Sequence, residues 1–233
     1  RFVRMLRSKQ VDGVVITPHG EALPLLGPLL AAHIPVVVLE HSLPGVHCIV
    51  IDEIEGGRLA TEHLLGLGHR RIGLIRRYPT RAMSWQRHDG YRLALVDAGI
   101  AYNPDLVVHC GSSHAEGYAA MQQLLALNER PTAAFVHNDI LAMGAMRAIY
   151  DGGLAVPGDV SLVGYDDIAS AAYLSPPLTT VRIPKVEMGA LAGRTIMQLA
   201  QDEQELGSAL EPQTVTLSVE LVVRSSTAAP RAS

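Results

Sequence analysis

Short apolar runs and longer amphipathic stretches alternate along this chain. Residues 13–17, 35–39, 47–51, 72–76, 106–109, 133–136 and 161–164 are runs of the first kind. Most are continuous rather than alternating, the pattern of strands buried on both faces. Between them, apolar residues recur at helical spacing. Leu59, Ala60, His63, Leu64 and Leu67 share one face, as do Tyr91, Ala94, Leu95 and Ala98. Ala142, Ala145, Met146 and Ile149 form a third stripe, and Met188, Leu191, Ala192, Ile196 and Leu199 a fourth. Asp52-Glu-Ile-Glu55 reads as a capping box opening the first of these helices, and Gly68 as its stop. Pro157-Gly158 and Pro176-Pro177 read as turns. This alternation predicts an α/β fold, with parallel sheets covered by helices on both faces. Two short strands, 214–216 and 219–223, follow the last helix, 184–202. Residues 225–233, rich in Ser, Thr, Ala and Pro, read as a frayed tail.

Composition narrows the picture. The 233 residues suffice for two lobes, and 48% hydrophobic against 18% charged residues argues for a sizeable core. The formal charge of −4 lacks the basic balance of a free-standing DNA binder. Cys48 and Cys110 each lie in or beside an apolar run, as reduced, buried thiols of a cytosolic protein do. No apolar run approaches the roughly 18 residues of a membrane span, and no signal peptide is evident. The opening Arg1-Phe-Val-Arg-Met-Leu reads as the second half of a helix, so the N-terminus is expected to be truncated.

Residues 159–182, DVSLVGYDDIASAAYLSPPLTTVR, carry the most information. A β-branched run ends in Gly164-Tyr165-Asp166-Asp167, which puts two carboxylates at the carboxyl end of a strand. Open α/β sheets bind ligands at that end. The segment closely resembles the VGYDD…PPLTT signature of the lactose-repressor/galactose-repressor family of bacterial transcription regulators. Other motifs follow in the family's order: Val11-Asp-Gly-Val-Val-Ile, Ile34-Pro-Val-Val, His63-Leu-Leu with Gly68-His-Arg-Arg-Ile, and Arg87-His-Asp-Gly-Tyr91. Pro131-Thr-Ala with Asn138-Asp139, and Val223-Arg-Ser-Ser, complete the set. Together they cover nearly the whole chain.

The resemblance implies two doubly wound parallel-sheet lobes joined by three crossover strands, as in type I periplasmic sugar-binding proteins. Carried over, residues 1–51 plus 184–213 form an incomplete first lobe, 52–182 plus 216–226 the second, and 227–233 a tail. A further β-α-β portion, a hinge helix and a helix-turn-helix head would precede Phe2. The implied function is the effector-binding core of a cytoplasmic repressor that needs no cofactor or metal. A small-molecule effector (a sugar, sugar phosphate or purine) closes the lobes and biases DNA heads absent from this chain. The family also implies a homodimer, formed side by side through apolar helix faces such as those of 59–67 and 142–149, although some of these face the lobe core instead.

The candidate site follows from residue chemistry. A buried sugar or nucleobase needs fixed polar partners. Arg87 offers a planar donor fork, Asp166 acceptor oxygens, and Asn138 both donor and acceptor. The resemblance places these three against effector from the second lobe, and Thr17 and Glu40 from the first. By itself, Arg87 also reads as a surface helix arginine, and Asn138 as a helix cap. Asp167 is expected to cap a short helix at Ile168. Thr17 and Glu40 stand at loop tips, where residues vary most. Two positions often aromatic in the family are Ser112 and Lys185 here. Trp85, the single tryptophan, could stack on a sugar face or simply be partly buried. Arg81 matches an arginine of the purine-repressor branch, and Lys185 with Arg81 would also suit a phosphorylated sugar.

Enzyme readings find little support. There is no Walker loop, nucleophile elbow or H-E-x-x-H motif. A periplasmic solute-binding protein of an ABC transporter shares the fold but usually lacks the GHRRI and PPLTT wording.

Overall fold

The valine- and isoleucine-rich runs form strands, and the stripes between them form helices. The computed structural model describes residues 6, 11–18, 26–78, 85–206 and 211–231, and only the backbone of 202–206. The elements in chain order are β1 (Val14–Ile16), α1 (Leu26–Leu30), β2 (Val36–Leu39), β3 (His47–Ile51), α2 (Glu53–Gly66), β4 (Ile72–Arg77), α3 (Gln86–Asp97), β5 (Val107–Cys110), α4 (His114–Leu125), β6 (Ala133–Val136), α5 (Asp139–Asp151), β7 (Ser161–Asp166), β8 (Thr179–Arg182), α6 (Lys185–Leu206), β9 (Thr214–Leu217) and β10 (Glu220–Val222). The helical reading of residues 1–6 falls largely outside the described residues. No helix among the described residues is long and apolar enough to cross a membrane.

The chain divides into two compact units, 1–52 with 184–218 and 53–183 with 219–233, and passes between them three times. In the first unit, four parallel strands lie in the order β1-β2-β3-β9. Val36, Val38 and Cys48 pack there against Leu26 and Leu29 of α1. Both cysteines are free and buried.

The second unit has six strands in the order β10-β8-β7-β6-β4-β5. All pair in parallel except β10, which runs antiparallel to β8. Alternate strand residues face opposite ways. Ile75, Ala134, Val136 and Leu162 join Met121, Leu124, Ala145 and Ile149 of α4 and α5 in one core. Phe135, Val163 and Tyr165 are buried on the other face, under α2. There α2 and α3 cross in backbone contact. A Cβ on Gly57 would collide with the Arg87 carbonyl, and one on Gly90 with the Ile54 carbonyl. Only glycine permits so close an approach. The crossing brings the first turn of α3 against the first turn of α2.

The structure adds one helix to the reading and corrects the tail. Helix α4 matches none of the four stripes, and it opens with a capping box of its own: Ser113 Oγ accepts from the Glu116 N–H, and Glu116 reaches back to accept from the Ser113 N–H. Ala142, Ala145, Met146 and Ile149 face the sheet, so that stripe is one of those that face the core of the unit.

Of the C-terminal residues, 225–231 are docked, not frayed. Ser226 is fully buried; its Oγ donates to the Leu162 carbonyl (2.6 Å) and accepts from the Thr179 N–H (2.8 Å). His69 lies against Thr132 Oγ1 (2.8 Å), Ser161 Oγ (3.1 Å) and the Ala228 carbonyl (2.9 Å), while His63 meets Thr227 Oγ1 at 2.9 Å. Buried polar groups of the sheet are satisfied by the tail, which outweighs the tail's flexible composition.

Ser226→Ala is expected to cost about 1–3 kcal/mol, because it orphans the buried Thr179 N–H. The exposed Ser225→Ala is expected to change stability by less than about 0.5 kcal/mol. Urea unfolding of the two variants checks this, and equal effects would contradict the docking.

Burial lowers the pKa of both His63 and His69, and His69 lowers that of His63 further. An unfolded histidine titrates near pH 6.5, as a rough reference. Below that pH the unfolded chain binds protons that the folded chain refuses, so stability is present above it and falls with acidification. Calorimetric midpoints are expected to drop between about pH 7.5 and 5.5, with a shallower slope in His69→Gln.

Candidate functional site

In the second unit the chain leaves β4 toward β5 on one side, and leaves β6 toward β7 on the other. The carboxyl ends of β4 and β6 therefore flank a topological switch point, where open α/β sheets leave a crevice for ligands. His137 and Asn138 follow β6, Asp166 ends β7, and Arg87 lies in the first turn of α3.

Arg87 is the centre of this group. Its Nε donates to Glu53 Oε2, its Nη2 to Glu53 Oε1 (2.9 Å) and its Nη1 to the His137 carbonyl (2.5 Å). Its guanidinium carbon lies 3.6 Å from the centroid of the Tyr165 ring. Asp166 Oδ1 is 3.9 Å from Nη1. The Arg87 side chain is 12% exposed, Glu53 7% and Asp166 26%, so the ion pair is buried and the aspartate stands at the rim. Among the described residues, three of the guanidinium's five N–H groups are committed to protein acceptors, which fixes the plane of the fork.

The electrostatics follow from that burial. Desolvation alone would lower the Arg87 pKa, but Glu53, with Tyr165 and Asp166, more than offsets it, and the net shift is upward. Burial raises the Tyr165 pKa, with Glu53 adding to the effect. Burial, then Arg87, Arg77 and Arg76, holds the His137 pKa well below its ordinary value. The site at neutral pH thus contains a fixed cation and a neutral imidazole.

Asn138 is the N-cap of α5, its Oδ1 accepting from the Leu141 N–H at 2.9 Å. Its amide nitrogen meets no acceptor among the described residues and remains a possible donor. The Asp167 expectation is overturned. Its carboxylate accepts from Arg182 Nε and Arg224 Nη2, each at 2.7 Å, and those arginines hold its pKa down against burial. The Ile168 N–H is instead met by Asp139 Oδ2 at 2.8 Å.

The remaining candidates are dispersed. Trp85 precedes α3, is 45% exposed, and has the Arg76 guanidinium over its ring at 4.3 Å. Ser112 is exposed after β5, its N–H donating to Glu116 Oε2. In the first unit, Thr17 and Glu40 follow the adjacent strands β1 and β2 at the same end of the sheet, and Glu40 has a φ of 64°. Lys185 opens α6 and is exposed. Arg81 lies outside the described residues.

Sequence reading missed Glu53, Tyr165 and His137. Glu53 was absorbed into a capping reading, and its partner is 34 residues away. A tyrosine inside the strand signature and a histidine beside Asn138 were the available signals.

A family model described as periplasmic binding protein-like domain matches residues 61–227. The transcriptional repressor PurR of Pasteurella multocida is 34% identical over 229 residues, covering 96% of this chain and 66% of that protein. The chain spans about two thirds or less of the length of the curated relatives it matches. A complex of the transcriptional regulator CelR with cellobiose superposes with a TM-score of 0.87 at 34% identity, covering 97% of this chain and 69% of that one. A LacI-family regulatory protein from Chloroflexus aggregans gives 0.86 at 31% identity, covering 97% and 80%. These relatives are named as regulators, not enzymes. The chain belongs to the LacI family of transcriptional regulators and carries the periplasmic binding protein-like domain.

Proposed function

We propose that this chain is the effector-binding core of a bacterial transcription repressor. A sugar or sugar derivative is held at the carboxyl ends of β4, β6 and β7, with a purine as the second choice. The observation that carries this reading is the Arg87 fork, locked in plane by Glu53, His137 and Tyr165 at the switch point. A preoriented fork gains affinity because little freedom is lost on binding. The fork suits vicinal hydroxyls or a carbonyl, Asp166 accepts from a ligand OH or NH, and the Asn138 amide nitrogen donates. CelR, which binds cellobiose, supports a sugar. Thr17, Glu40, Trp85, Arg81, Ser112 and Lys185 are secondary candidates for contact.

The whole protein is proposed to be a cytoplasmic homodimer of C2 symmetry. It would recognise operator DNA through a helix-turn-helix head that these 233 residues do not carry. The acidic balance of the chain fits that division of labour.

Calorimetric titration of the chain with cellobiose, ribose, glucose 6-phosphate and hypoxanthine tests the reading. At least one is expected to bind, and binding by none would contradict it. Asp166→Asn is expected to weaken that compound by about 10- to 150-fold, through loss of a charge-assisted hydrogen bond. Arg87→Ala is a poorer probe, since it strands a buried carboxylate and is expected to destabilise the fold by about 3–5 kcal/mol. Arg87→Met combined with Glu53→Gln removes both charges, and is expected to lose binding at a smaller cost in thermal stability than Arg87→Ala.

A further inference from the structure

Strand β7 ends in two consecutive left-handed residues, Asp166 with φ 98° and Asp167 with φ 45°. Side chains other than glycine disfavour this region, and such a turn persists only where its surroundings hold it. Those surroundings are polar and specific. Asp167 is 9% exposed and bridges two arginines, Arg182 at the end of β8 and Arg224 two residues beyond β10. Arg224 also donates from Nη1 to the Leu178 carbonyl at 2.7 Å, and Arg182 from Nη1 to Glu220 Oε1 at 2.7 Å. On the far side of the turn, Asp139 takes the Ile168 N–H through Oδ2 and the Thr180 hydroxyl through Oδ1 at 2.6 Å. The backbone is thus clamped at 167 and 168, and Asp166 is the residue it presents at the rim, 3.9 Å from Arg87.

We propose that Asp167 is a positioning residue: bound to Arg182 and Arg224, it sets the left-handed turn that aims the Asp166 carboxylate at the ligand beside Arg87. This rests on the reading of the site given above. Asp167 acts through Asp166 and touches no ligand. Its carboxylate stays ionised because both arginines hold its pKa down.

A double-mutant cycle on the full chain separates positioning from simple support of the fold. The probes are cellobiose, ribose, glucose 6-phosphate and hypoxanthine, read by calorimetric titration. Asp167→Asn is expected to weaken the probe that binds wild type by about tenfold, within the range of couplings between contacting residues. In the Asp166→Asn background the same change is expected to cost less than about twofold, since the carboxylate being aimed is gone. Asp159→Asn, which breaks an ion pair to Arg231 elsewhere in the unit, is expected to bind as wild type. Additive losses, or an equal loss in Asp159→Asn, overturn the proposal. Arg224→Gln takes the place of Asp167→Asn, with the same outcomes, if that variant does not fold. Binding of no probe by wild type defeats the functional reading instead. Positioning is then decided by a ligand-free crystal structure of Asp167→Asn. A turn that has left the positive-φ region and moved Asp166 from Arg87 supports it, and an unchanged turn overturns it.

Discussion

A buried guanidinium is expensive unless its charge and its hydrogen bonds are all answered, and the architecture of the second unit is arranged around answering Arg87. Glu53 supplies the countercharge from α2, the His137 carbonyl an acceptor from the end of β6, and Tyr165 a ring face from β7. These groups come from three elements far apart in sequence. They meet because α2 and α3 cross where Gly57 and Gly90 let their backbones touch. A side chain at either glycine would push α3 outward and take Arg87 from Glu53. The packing of two helices and the chemistry of the site are one constraint.

A second polar layer holds the turn at the end of β7. Asp139, fully buried in the first turn of α5, ties Ile168 and Thr180 together, and Asp167 ties in Arg182 and Arg224. Networks of this kind are worth having only when every member is satisfied. The docking of Ser226 and Ala228 beneath the same sheet follows that logic at its other end, where His69 and Ser161 need partners.

Local pattern made much of the fold legible. Runs such as 161–164 and 133–136 are continuous because both faces of β6 and β7 are covered, and the stripe Ala142 to Ile149 faces the core as helical periodicity requires. Motif resemblance pointed to Arg87, Asn138 and Asp166, and the second unit brings them to one end of its sheet. What stayed hidden was partnership at long range. Glu53 looks like a helix-start residue, and nothing local says that its carboxylate turns to Arg87. Asp167 beside Ile168 invites a capping role that Asp139, in a different helix, performs. The capping box at Ser113–Glu116 and the buried stripe of Ala120, Met121 and Leu124 behind it were both legible in the sequence but passed over. The tail was misjudged from composition, since the polar groups it satisfies belong to strands distant in sequence.

The central claim is that the Arg87 fork is the anchor of an effector site. Nuclear magnetic resonance tests it most directly, with the arginine side chains labelled and the tightest-binding compound of the sugar and purine panel added. The account predicts that the Arg87 Nε–H signal and the backbone signals of Asn138 and Asp166 shift together and saturate with the affinity measured by calorimetry, while Arg231 at the tail stays still. Saturable binding that leaves the Arg87, Asn138 and Asp166 signals unmoved would contradict it.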